Sequence, residues 1–160
     1  MKTIVALTLL FCVSPAVAGV DGADDLHLSI SLTEGEHSRD SNSTSIAISI
    51  SGGQLVYDRS YSGYRANKRT PVHKQIGIKA GDIYRLKKVI GERKLLVSRR
   101  LEGPTNGPGR YSIAAISIAL GKQRASIRVS GTISRIDNEP LYKSSRALIE
   151  EIQRIVEANE

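Results

Sequence analysis

The stretch STSIAISISGGQLVY (residues 43–57) decides the fold, because it contains two strand patterns joined by a turn. Its first half alternates with a period of two, which is typical of a half-buried β-strand. The side chains assigned to the buried side are Thr44, Ile46, Ile48 and Ile50. Gly52 and Gly53 supply the positive φ angles of a tight hairpin turn, and residues 55–57 suit a returning strand.

The same alternation recurs along the rest of the chain. In residues 26–32 every second residue is Leu or Ile, and residues 111–133 form a second hairpin pattern around a turn at Gly121. The predicted strands are residues 26–32, 43–51, 54–61, 72–79, 111–120 and 124–133. Residues 94–101 fit a short strand better than a further helical turn, and residues 33–42 read as a polar loop.

Two segments change to the spacing of an amphipathic helix. In the first, Asp82 stands at the start, apolar residues recur at helical spacing from Ile83 to Ile90, and Gly91 is placed to end the helix. In the second, Pro140 fits a first helical turn. Its apolar stripe consists of Leu141, Leu148, Ile149, Ile152, Ile155 and Val156.

Together these patterns predict an α+β fold. A sheet with one apolar face must cover that face, and two amphipathic helices are able to do so. We therefore expect a single domain over residues 26–160. Its expected core is an antiparallel sheet of about six strands with both helices packed on one face.

Residues 1–18 have the three parts of a secretory signal peptide: a positive start, a short apolar run and a small-x-small cleavage site. We expect this segment to be cleaved, leaving a flexible arm at residues 19–25. The mature chain is then secreted or periplasmic. Cys12 is the only cysteine and leaves with the signal peptide, which excludes disulfide scaffolds and thiol catalysis.

Positive charge is concentrated in residues 59–100, which contain thirteen Lys and Arg and two acids, whereas the whole chain has a formal charge of +7. A partner attracted by charge is therefore anionic. Tyrosines interleave with these cations, as in many anion-binding surfaces. The candidate anion-binding residues are Arg59, Arg65, Lys68, Arg69, Arg85, Lys87 and Lys88. The alternative is a solvated surface balanced by the acids of residues 21–40.

Because a secreted protein seldom meets nucleic acid, nucleic acid is not expected as a partner. The expected partner is an anionic polymer, an anionic surface or an acidic protein. A homo-oligomer is also compatible with the sequence. No cofactor or metal is expected. The polar segment with Glu34, Glu36, His37 and Asp40 offers possible metal ligands, but its spacing matches no zinc or calcium motif.

A hydrolase is the first alternative to a non-enzymatic binding domain. His37 or His73 would act with a nearby carboxylate, which requires a cleft that holds the pair within hydrogen-bond reach. The sequence contains no Gly-x-Ser-x-Gly elbow and no His-Glu-x-x-His motif. The non-enzymatic interpretation is therefore preferred.

The serines of the strands suggest a second alternative, a structural or assembly subunit. They recur on the polar side of each strand, where small hydroxyls leave room for close approach by a ligand, a subunit or a further layer. The serines expected to share this surface are Ser29, Ser31, Ser43, Ser45, Ser49, Ser51, Ser126 and Ser130. Simple exposure to solvent is the competing interpretation.

Overall fold

A computed structural model describes residues 25–37, 41–64, 66–106 and 108–159 of the chain. The predicted signal peptide, most of the predicted arm and Arg65 lie outside the described residues. The strands are β1 (Leu26–His37), β2 (Asn42–Ser51), β3 (Gln54–Gly63), β4 (Val72–Gly77), β5 (Arg99–Glu102), β6 (Gly109–Leu120) and β7 (Gln123–Thr132). The helices are α1 (Ala80–Glu92), α2 (Ile133–Ile136) and α3 (Pro140–Glu157), and Ala66–Lys68 forms a single 3₁₀ turn.

The protein is α+β, with one mixed seven-stranded sheet in the order β4-β3-β2-β1-β6-β7-β5. The expectation of about six strands in a purely antiparallel sheet is wrong, because β5 adds a strand that runs parallel to β7. β4 and β5 occupy opposite edges of the sheet, so α1 and the turn after it carry the chain from one edge to the other. This long connection lets β5 enter the sheet beside β7, and because no hairpin joins β5 to β7, the two strands are free to run parallel.

The register sorts the side chains by polarity. Ile30 of β1 lies opposite Ile48 of β2 and Ile116 of β6, and Ile116 lies opposite Ile127 of β7. All four side chains are almost completely buried. A shift of one residue in any pair of strands would expose this row, so the apolar pattern fixes the register.

The apolar face of the sheet, α1 and α3 form one hydrophobic cluster. From α1 this cluster includes Ile83, Leu86 and Ile90. From α3 it includes Leu148, Ile149, Ile152, Ile155 and Val156, which are five of the six residues of the predicted stripe. None of the described helices is long and apolar enough to cross a membrane.

The first strand is longer than the sequence pattern predicts. The polar loop expected at residues 33–42 is wrong for residues 33–37, which belong to β1, and for Asn42, which begins β2, while residues 38–40 lie outside the described residues. β1 continues to His37, opposite Gly109, because β6 pairs with it along its whole length. The polar residues of this part of β1 lie beyond the apolar core. Among them, Glu34 accepts a hydrogen bond from Arg146 of α3 at 2.7 Å, which gives the partly covered carboxylate a partner.

The other boundary errors fall beside turns. The strand expected at residues 94–101 is limited to Arg99–Glu102, and β4 ends at Gly77 rather than at residue 79. α2 was not predicted; it begins at Ile133, which the sequence pattern assigned to the preceding strand. The Gly52–Gly53 hairpin is as predicted, with φ angles of +54° and +72°.

The end of α1 does not depend on Gly91, contrary to the sequence expectation, since that residue lies within the helix. Lys94 takes the left-handed conformation instead, with φ +53°. The N–H groups of Lys94 and Leu95 donate to the carbonyls of Gly91 and Ile90. This is a Schellman motif, and buried Leu95 and Ile90 provide its hydrophobic contact.

Lys94→Gly should stabilise the protein by about 0.5–1 kcal/mol. A left-handed residue with a Cβ costs roughly 1–2 kcal/mol, which exceeds the extra entropy that glycine loses on folding. Urea unfolding measures the change, with Arg93→Gly as the matched control, because Arg93 has a negative φ and should only lose stability. A Lys94→Gly variant less stable than the wild type would show that the left-handed cap is wrong.

Candidate binding surface

The face of the sheet opposite the helices is built from small polar side chains. We call it the hydroxyl face and define it by thirteen outward residues of β2, β1, β6 and β7. These are Ser29, Ser31, Thr33, Ser43, Ser45, Ala47, Ser49, Ser51, Ile113, Ala115, Ser117, Ser126 and Ser130. All eight serines expected to share a surface lie on this face. Ser117 belongs with them, and its alternation with Ile116 and Ile118 would have revealed it.

Four serines form a continuous row across the hydroxyl face, in the half nearest the β2–β3 and β6–β7 turns. Ser49 lies opposite Ser29, Ser29 opposite Ser117, and Ser117 opposite Ser126. All four are exposed. In the part of the chain that the structure describes, no further layer covers them, so the floor is open to a partner.

The dimensions of the hydroxyl face suit a macromolecule. At about 4.8 Å between strands and 3.3 Å per residue, four strands of roughly ten residues cover on the order of 550 Å². A standard protein–protein interface buries about 800 Å² on each partner. The hydroxyl face therefore supplies most of one such interface without any change in the fold.

A groove of about 560 Å³ crosses the half of this face nearest the β2–β3 and β6–β7 turns. Its floor includes the serine row, and His27 and Arg124 lie on its lining. One wall is Ser98, whose hydroxyl accepts a hydrogen bond from the Ser126 N–H at 2.9 Å. His27 Nδ1 lies 3.0 Å from the Ser51 hydroxyl.

Arginines flank the hydroxyl face on its β7 side. Arg124 lies opposite Ala119, and Arg128 lies opposite Ala115, so both project on the same side as the serines. Among the described residues, neither forms an ion pair with a carboxylate. By contrast, Arg100 of the neighbouring β5 is bound to Glu102 at 2.5 Å. The flank therefore leaves positive charge beside the hydroxyl floor.

The three candidate cations on α1 each have an acidic partner. Arg85 binds Asp82 at 2.6 Å, and Lys87 binds Asp25 at 2.6 Å. A longer pair, of 3.8 Å, joins Lys88 to Glu92. These pairs reduce the charge that the outer side of α1 offers to a partner.

The remaining candidates lie on β3 and the segment after it. Arg59 donates from Nε to the Tyr57 hydroxyl at 2.8 Å, and its guanidinium lies 5.4 Å from the centre of the Tyr57 ring. Arg69 packs on Tyr61 in the same way at 5.2 Å, and Lys68 is exposed in the 3₁₀ turn. Arg65 lies outside the described residues.

The pKa of Arg59 results from opposing effects. Burial lowers this pKa, while hydrogen bonds and charge interactions with Tyr61 and Tyr57 raise it, with a net value above the ordinary one. The guanidinium is therefore a permanent cation on the face of the sheet opposite the serines.

The two parts of the basic segment lie at opposite ends of the strands. The 3₁₀ turn follows the end of β3, whereas α1 begins where β4 returns beside the start of β3. Ten residues of β3 separate these ends, a distance of roughly 30 Å. The described members of the predicted anion site therefore do not share one surface.

The histidines are dispersed. His73 Nδ1 lies 2.5 Å from Asp58 Oδ1, with side-chain exposures of 68% and 51%. His37 bonds through Nε2 to the Thr105 carbonyl and stacks on Tyr111 at 4.7 Å. The His73–Asp58 pair has the hydrogen-bond geometry that a general base requires, but both side chains stand on an open surface.

The possible metal ligands of residues 34–40 are also separated. Glu34 is held by Arg146 on the inner side of the sheet, and His37 points to the outer side. Asp40 lies outside the described residues. Within those residues, no group of three or more His, Cys, Asp or Glu side chains is placed to hold a metal ion.

The chain matches no model of a known protein family and no curated protein sequence. Function is therefore inferred from the chemistry of the described surface. That surface includes the hydroxyl face, with Arg124 and Arg128 beside it.

Replacing the exposed serines by threonine should not weaken the fold. Ser29→Thr and Ser117→Thr are expected to leave the free energy of unfolding unchanged or to raise it by up to about 1 kcal/mol, because threonine favours strands. Ile116→Ala, at a buried neighbouring position, should cost about 2–5 kcal/mol. Urea unfolding measures both. A large loss in the threonine variants would mean that the hydroxyl face is already packed in the free protein.

Proposed function

We propose that this protein is a secreted or periplasmic, non-enzymatic binding domain whose hydroxyl face docks an acidic protein partner. One observation carries the proposal. Four adjacent strands present an open floor of hydroxyl and methyl groups, and Arg124 and Arg128 stand beside it without a carboxylate partner among the described residues.

The small side chains favour docking for an entropic reason. Immobilising a long side chain at an interface costs about 0.5–1.5 kcal/mol, and serine and alanine have little rotamer freedom to lose. Their size also lets the backbone of a partner approach the sheet closely. Hydroxyls both donate and accept hydrogen bonds, so the floor can satisfy polar groups of either kind.

The positive charge beside the hydroxyl face favours a partner with negative charge. Arg124 and Arg128 are permanent cations beside the floor, and the formal net charge of the whole chain is +7. Such a field accelerates encounter with an acidic partner. The cations of α1 contribute less because Asp82, Asp25 and Glu92 lie against them.

An acidic protein fits this face better than a lipid surface. The exposed large apolar side chains of the described chain are Tyr64, Tyr84, Val97 and Ile113. Of these, Ile113 alone belongs to the hydroxyl face, so the face lacks the apolar side chains that insert into a bilayer. A flat polar floor beside arginines is suited to the polar backbone and carboxylates of a protein.

Reversing the charge of the arginine flank should abolish most binding to an acidic polypeptide. We expect the double variant Arg124→Glu, Arg128→Glu to bind labelled poly-L-glutamate at least about tenfold more weakly, a change of about 1.4 kcal/mol. Fluorescence anisotropy measures the affinity. Wild-type affinity should fall steeply with salt, because the contact is largely electrostatic.

The matched control is Lys68→Glu, Arg69→Glu, which makes the same charge change in the basic segment predicted from the sequence. We expect a much smaller loss of affinity in this variant. If the control variant loses binding and the arginine-flank variant keeps it, the partner docks at the segment after β3 and the hydroxyl face is not the site.

Bulk on the floor should block docking without unfolding the protein. Ser31→Trp and Ala115→Trp place a large ring at exposed positions in the centre of the face, so both variants should fold and lose affinity for poly-L-glutamate. Gln75→Trp is the control, since Gln75 is exposed on β4, three strands from Ser31. Unchanged affinity in all three variants would contradict a docked partner on this floor.

A further inference from the structure

A separate cavity of about 250 Å³ lies on the opposite side of the sheet, between β3, β4 and the last turn of α3. Its lining includes Arg59, Tyr57 and Gln153, and its apolar lining includes Val72 and Val156. Lys74 and Glu157 also line it, and Lys74 already has an interaction partner. The cavity shares no residue with the hydroxyl face.

Arg59 is the unusual group in this cavity. Its side chain is only partly exposed, and its Nε–H is used by the Tyr57 hydroxyl. No described carboxylate forms an ion pair with its guanidinium. Hydrogen bonds and charge interactions with Tyr57 and Tyr61 replace part of the hydration that burial removes, but a partly buried cation is normally paired with a carboxylate as well.

The dimensions and lining define what would pair with Arg59. A guanidinium is the side chain best shaped for the two oxygens of a carboxylate. The volume is below the roughly 300 Å³ at which sites for drug-sized ligands begin, so the ligand is small. Val72 and Val156 offer contact to a short apolar body.

We propose that this cavity binds a small organic carboxylate, with the Arg59 guanidinium holding the carboxylate and the two valines contacting the apolar body. The inference is independent of the hydroxyl face. Glu157 and the carboxyl-terminal end of α3 are negative, so the ligand carboxylate lies on the Arg59 side of the cavity, away from them.

Isothermal titration of the wild-type protein with acetate, butyrate and hexanoate, at ionic strength matched with chloride, tests the proposal. We expect saturable binding that tightens about threefold to fourfold for each methylene that becomes buried. Binding should also raise the melting temperature in a concentration-dependent manner. Absence of saturable binding, or tighter binding of inorganic phosphate than of butyrate, would overturn the assignment.

Three variants locate the site. Arg59→Gln should abolish butyrate binding, and Val72→Phe should do the same by filling the cavity while leaving Arg59 in place, so that loss of binding does not depend on one variant's folding. Circular dichroism checks the fold of each. Glu157→Gln should strengthen binding by removing repulsion. Retained binding in Arg59→Gln, or weaker binding in Glu157→Gln, would show that the carboxylate is not held as proposed.

Discussion

The period-two alternation of four adjacent strands is the constraint on which the rest of the structure depends. It places Ile30, Ile48, Ile116 and Ile127 in one buried row and leaves a serine row on the other side. Because a slip of one residue would exchange the two rows, burial of the isoleucines also fixes the arrangement of the hydroxyls. The proposed binding surface is thus held in place by the core.

The helices complete this division of the sheet. α1 crosses from one edge to the other and α3 packs beside it, so both contribute to the hydrophobic cluster on the inner face. The described chain leaves the outer face uncovered. Ion pairs of the basic middle segment help to hold the helices against the sheet. In one of them, Lys87 of α1 binds Asp25, the residue just before β1.

The sequence predicts more of the sheet than of the site. Alternation alone places the eight serines on one surface, but the parallel strand β5 and the left-handed cap at Lys94 depend on tertiary packing that overrides local pattern. The number of cations in residues 59–100 predicts an anion-binding segment, but ion pairs that form only in the fold reduce its available charge. The pair between Lys87 and Asp25 is one of these, and the sequence does not predict it because the two residues are far apart in the chain. The sequence analysis did not include Arg124 and Arg128 among the binding residues. Both alternate with a period of two with Ser126 along β7, and this alternation would have placed them on the same face.

The central claim is that an acidic partner docks on the hydroxyl face. Its most direct test is a titration of the isotope-labelled protein with poly-L-glutamate, followed by the chemical shifts of the backbone amides. The account predicts that the largest shifts fall on β1, β6 and β7 around Ser29, Ser117 and Ser126. Shifts confined to α1 and to the 3₁₀ turn at Ala66–Lys68, with the serine strands unchanged, would contradict it.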